Sequence, residues 1–217
     1  MALGLVAGAV LAACSSHPSA RPAGETKVRA ATTDVTAPAS DEVAVRVVAD
    51  SEVPDQVAEL LDGEAGIRVL SHVSVHGATM AELDPAVAEA LAAHPDVLVY
   101  AGGTNDLASG PLDMLAGLEE RLRAATGQTC VVVAVPVFRY ERGTDEEVRT
   151  RTQGTRVLEG AVTATGARVA SYLDVSLAMD DAHQDFFAEG ELGDLHPGPA
   201  AYPRIADAIA EQVRACG

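Results

Sequence analysis

Tryptophan is absent from this 217-residue chain, and tyrosine and phenylalanine bring the aromatic share to only 3%. Stacking platforms for nucleic-acid bases, or long aromatic strips for glycans, are therefore hard to assemble. Positive charge is equally scarce, with 15 Lys and Arg against 32 Asp and Glu and a formal net charge of −17. Such a surface repels phosphate backbones and anionic lipid headgroups, which argues against nucleic acid as a partner. Glycine-rich phosphate loops of the GxGxxG or GxxxxGK type are missing, which weighs against a nucleotide binder. Of the six histidines, His17, His72, His76 and His94 are scattered without metal-ligand spacing, so neither a metal nor another cofactor is expected.

What is present begins with an apolar run, "MALGLVAGAVLAAC" (1–14), too short to span a bilayer but of the length of a signal-peptide core. Its ending resembles a bacterial lipobox, and that resemblance implies a signal peptide over 1–13 with Cys14 as the lipidated residue. Residues 15–40 are rich in Ser, Pro, Ala and Thr without apolar periodicity, so 14–40 reads as a flexible, lipid-anchored tether. The expected location is the outer face of the cytoplasmic membrane, or secretion, with the anchor as the sole membrane contact. The third segment, 41–217, has the length and apolar content of one domain.

From residue 41, short β-branched runs alternate with Ala/Glu/Leu-rich stretches. Strands are expected over 43–51, 67–75, 96–103, 130–138 and 168–175. Helices are expected near 55–62, 80–94, 112–125, 145–164 and 199–215. Strict alternation argues for an α/β domain with a five-stranded parallel sheet covered on both faces, because parallel connections need helical crossovers. In that arrangement Cys130, opening one strand, and Cys216, closing the last helix, fall at the same end of the sheet. A disulfide and a pair of unpaired thiols are both open readings.

Ligands of such a sheet bind beyond the carboxyl ends of the strands. The first strand leads to Asp50 and Ser51, the second to His76 and Gly77, the third to Asn105 and Asp106, and the fifth, at more distance, to His196. A serine hydroxyl needs a base to accept its proton, and the oxyanion it creates needs donors. Ser51 can supply Oγ and a backbone N–H, Gly77 another N–H, Asn105 a side-chain N–H, and His196 the base. Each residue also has a plain reading, such as an N-cap for Ser51 or a loop cap for Asn105.

The order "ADS", "HGAT", "GGTND", "DLHPGPAAY" resembles the four sequence blocks of the SGNH (GDSL-type) hydrolases. The resemblance spans 43–215 and implies a three-layer, flavodoxin-like fold and a serine esterase acting on a small ester substrate. It makes Ser51 the nucleophile, Ser51, Gly77 and Asn105 the oxyanion hole, and His196 the base. Asp50 and Asp106 would hold loops, and His76 would line the pocket.

Two positions differ from the family. Ala49 stands where glycine is usual and is followed by "SEVPD", which places Glu52 and Pro54 at the site entrance. Gly193 stands three residues before His196, where the triad aspartate is usual, and Asp194 is displaced by one. Asp194 is the expected orienting carboxylate, with Glu191, a backbone carbonyl or no group at all, a Ser–His dyad, as alternatives. A second DxxH spacing, Asp180 to His183, lacks the following Pro/Gly and helix. The competing function is an envelope binding protein that keeps the fold and has lost catalysis. Oligomeric state is not legible.

Overall fold

The computed structural model describes residues 41–137, 145–182, 185–187 and 196–217. The leader 1–13, the tether 14–40 with Cys14, and Glu191, Gly193, Asp194 and His183 lie outside the described residues.

Five strands, β1 (Val43–Ala49), β2 (Ile67–Ser74), β3 (Val97–Ala101), β4 (Cys130–Val135) and β5 (Arg168–Ser171), form one parallel sheet in the order β2-β1-β3-β4-β5. The helices among the described residues are α1 (Asp55–Asp62), α2 (Met80–Ala92), α3 (Pro111–Thr126), α4 (Asp145–Ala164), α5 (Tyr172–Asp181) and α6 (Tyr202–Arg214). A 3-10 turn, Thr104–Ser109, follows β3. None of the described helices is long and apolar enough to cross a membrane.

The period of two in the strands divides the core into two halves. Val45, Val47 and Ala49 of β1, Val97, Val99 and Ala101 of β3, and Val132 and Ala134 of β4 pack with α1, α5 and α6. Val48, Leu98, Tyr100, Val131 and Val133 point the other way, onto α2, α3 and α4. Both faces are buried, which is why these strands read as near-continuous valine runs and not as alternating ones. On α6, Ile205, Ala206, Ile209, Ala210 and Val213 recur at helical spacing and are all buried.

Cys130, at the start of β4, is joined to Cys216, just past α6, with Cα atoms 6.0 Å apart. The bond ties the last helix to the end of the sheet opposite the loops that follow the strands.

Each strand is shorter than its apolar pattern suggested, β1 ending at Ala49, β2 at Ser74, β3 at Ala101 and β4 at Val135. The largest difference is at β5, which stops at Ser171 and not at 175, with α5 beginning at the next residue. Ser171 ends the strand because its Oγ accepts the N–H of Asp174, capping the new helix at 3.1 Å. The final helix starts at Tyr202 and not at 199, with Pro203 in its first turn, where a missing N–H costs nothing.

Candidate active site

In the strand order β2-β1-β3, the chain leaves β1 to one side and returns to β3 on the other. That switch point opens a crevice at the carboxyl ends of β1 and β3. Ser51 and Asn105 follow those two strands, and Gly77 follows β2.

The loop carrying Ser51 is fixed residue by residue. Asp50 N–H donates to Ala101 O at 2.8 Å, which extends the β1–β3 ladder one step beyond the strand. The Asp50 carbonyl accepts from Ser74 Oγ at 2.8 Å, and its carboxylate accepts the N–H of Glu52 at 3.0 Å. This last bond closes a turn with Ser51 at its apex, a common use of aspartate. Beyond it, Tyr172 OH donates to Glu52 O at 2.9 Å, and His72 Nε2 donates to Val53 O at 3.0 Å. The other His72 nitrogen lies 3.1 Å from the Asp55 carboxylate. The loop therefore has little freedom to carry Ser51 away.

His196 arrives on an equally anchored segment. Pro197 forms an antiparallel bridge with Phe187, Gly198 N–H donates to Phe186 O at 2.8 Å, and Phe186 is buried against Tyr172. The result is a contact of 2.7 Å between Ser51 Oγ and His196 Nε2. One face of the His196 ring stacks on His76, with centroids 5.5 Å apart and planes 20° from parallel.

Gly77 occupies the third corner of a turn closed by Ala78 N–H to Val75 O at 3.1 Å, with φ of +72°. Only glycine takes that corner without strain. Among the described residues, the N–H groups of Ser51 and Gly77 donate to no backbone carbonyl. Asn105 Nδ2 donates to Ala78 O at 2.9 Å and, more weakly, to Asp50 Oδ2 at 3.4 Å. Asp106 accepts the N–H of Met80 at 2.9 Å and so caps the start of α2. Adjacent residues of "GGTND" thus tie the third loop to the second.

The charge state beneath the nucleophile is unusual. Asp50 is fully buried, and burial, reinforced by the nearby charge of Asp106 and opposed by the Glu52 N–H, pushes its carboxyl up to about 7. Glu52 is also buried, and burial together with the Asp50 charge holds its carboxyl well above the ordinary range. The expectation that Glu52 shapes the entrance is therefore corrected: its side chain is turned inward, near Asp50 and Tyr172. His72 and Tyr172, which hold the nucleophile loop, were not singled out for the site in the sequence. "SYLD" at 171–174, a serine three residues before an acid, was the available signal for the helix that carries Tyr172.

Among the described residues no group of three His, Cys, Asp or Glu side chains could hold a metal ion. A cavity of about 440 Å³ lies between β5, α5 and α6, lined by residues including Ser171, Arg204 and Glu211, and does not adjoin Ser51.

Residues 35–204 match the family model described as GDSL-like Lipase/Acylhydrolase. The chain belongs to that family. It is accordingly a carboxylic ester hydrolase of the GDSL type. None of the curated proteins matches the chain in sequence. Among solved structures, a member of the lipolytic G-D-S-L family from Veillonella parvula superposes with a TM-score of 0.60 at 14% identity, covering 77% of this chain and 96% of its own. Axe2, an acetylxylan esterase from Geobacillus stearothermophilus, gives 0.57 at 17%, covering 79% of this chain and 94% of its own. These two share the fold with this GDSL-type chain. Catalytic mutants of Axe2 have been solved at a serine, a histidine and an aspartate.

Proposed function

We propose that this chain is a serine esterase that cleaves a short acyl or acetyl ester through an acyl-enzyme intermediate. The observation that carries the reading is the 2.7 Å contact between Ser51 Oγ and His196 Nε2. At that distance the ring can take the hydroxyl proton as oxygen attacks. Ser51 Oγ bonds to the ester carbonyl carbon, its proton passes to His196, and the carbonyl electrons move onto oxygen. The N–H groups of Ser51 and Gly77 and the Asn105 amide, whose reach to Asp50 is the weaker of its two bonds, receive that oxyanion. Collapse expels the alcohol, which takes the proton from His196. Water, deprotonated by His196, then releases the acid and restores Ser51. Asp194 is the proposed carboxylate for the far ring nitrogen. No cofactor enters these steps.

Preference for a small acyl group is supported by the five-residue β1–α1 connection (50–54), which leaves little chain to wall a long acyl tunnel, and by the likeness to an acetylxylan esterase. An envelope glycan or lipid ester is the proposed substrate, because the leader and Cys14 would place the enzyme outside the cytoplasmic membrane. The Cys130–Cys216 disulfide supports an exported, oxidising location.

Fluorophosphonate labelling and p-nitrophenyl acetate hydrolysis test the reading. Wild type should label, Ser51→Ala should not, and His196→Ala should lose at least about 10³-fold in kcat. Asp194→Ala should lose at least about tenfold. Well-folded wild type that neither labels nor hydrolyses any of a broad ester panel would favour a catalytically impaired binding protein, the reading that Gly193, in place of the usual aspartate, supports.

A further inference from the structure

His76 is exposed and borders the site without belonging to either core cluster. Its ring nevertheless lies flat against His196, 5.5 Å between centroids and 20° from parallel. The two rings come from distant parts of the chain, the β2–α2 loop and the segment before α6. Ser51 meets the His196 ring at its edge, through Nε2. A ring laid against the face adds a contact to the plane that an edge-on hydrogen bond does not make.

The same stack changes character during the reaction. When His196 takes the serine proton it becomes a cation lying over the face of a neighbouring aromatic ring. A neutral ring attracts such a cation through its electron-rich face. The attraction is stronger for the imidazolium than for the neutral base, so it lowers the barrier more than it stabilises the resting state. His76 also immediately precedes Gly77, so the residue against the base is covalently joined to a donor of the proposed oxyanion hole.

We propose that His76 is a positioning residue for acyl transfer, holding the plane of the His196 ring and facing the charge that ring acquires. The inference rests on the esterase reading above. It assigns to His76 a part in turnover and none in substrate binding.

Three proteins test it: wild type, His76→Ala and His76→Phe, the last retaining an aromatic face without ring nitrogens. With p-nitrophenyl acetate, His76→Ala should lose about fivefold in kcat, equivalent to about 1 kcal/mol, with KM within about twofold of wild type. The second-order rate of fluorophosphonate labelling should fall by a similar factor. His76→Phe should return both rates to within about twofold of wild type. Because His76 is exposed, thermal midpoints of all three should coincide. Wild-type kcat in His76→Ala, a loss expressed in KM alone, or His76→Phe as slow as His76→Ala would each overturn the assignment. Those outcomes require a wild type that labels. A wild type that does not label removes the esterase reading, and this inference with it.

Discussion

Asp50 and Glu52 flank Ser51 in sequence and are both buried, and their effect on stability can be worked out from the direction of their shifts. The Asp50 proton is held up to about 7 in the folded chain, against about 4 for an unfolded aspartate. Between those two values the folded state binds the proton that the unfolded state has lost, so the stability Asp50 contributes is fully present below about pH 4 and is lost as pH rises through about 7. Replacing Asp50 by Asn keeps an acceptor for Glu52 N–H and removes the titration. Urea melts at pH 5 and pH 8 should then show Asp50→Asn losing on the order of 2 kcal/mol less than wild type across that interval. Equal losses in the two proteins would refute the buried-acid account. Ser51, Gly77 and Asn105 could be singled out because each follows a strand, and His196 because it precedes the last helix; of these the structure sets Ser51 Oγ 2.7 Å from His196 Nε2. Glu52 was not legible, since an acid after a nucleophile is ordinarily solvated and nothing in "SEVPD" signals that it turns inward. The contact between His76 and His196 was equally hidden, because it joins loops 120 residues apart in sequence.

Among the elements, the strands were readable because valine runs buried on both faces leave a compositional mark that needs no tertiary knowledge. β5 was overextended for the same reason: "RVASYLDV" is apolar and β-branched, and the cap at Ser171 that breaks it is a single hydrogen bond. α6 shows the opposite case, with an apolar stripe strong enough to define its buried face from sequence. Ile209 lies at the centre of that stripe and is fully buried. Ile209→Ala should cost about 2–5 kcal/mol in chemical denaturation, the range for a large aliphatic side chain cut back in a packed core. A loss below about 1 kcal/mol would mean that α6 packs more loosely than its burial indicates. Because His196 sits six residues before α6, a destabilised helix should also weaken the base's seat.

For the whole molecule, the disulfide between Cys130 and Cys216 spans 86 residues of sequence. Closing a loop of that length restricts the unfolded chain, an effect of about 3–5 kcal/mol in the chain-entropy model. Cys130→Ser/Cys216→Ser protein, melted in urea beside wild type, should show a loss of that order, and an unchanged midpoint would place the stability elsewhere. The bond also has a topological meaning. The closed ring of chain contains His196 and excludes Ser51, so nucleophile and base sit on opposite sides of a covalent boundary. A protease that cuts one peptide bond anywhere between Cys130 and Cys216 divides the chain without releasing either piece. Where the cut falls before His196, the severed base remains tethered, through sulfur, to the half of the molecule that holds its serine.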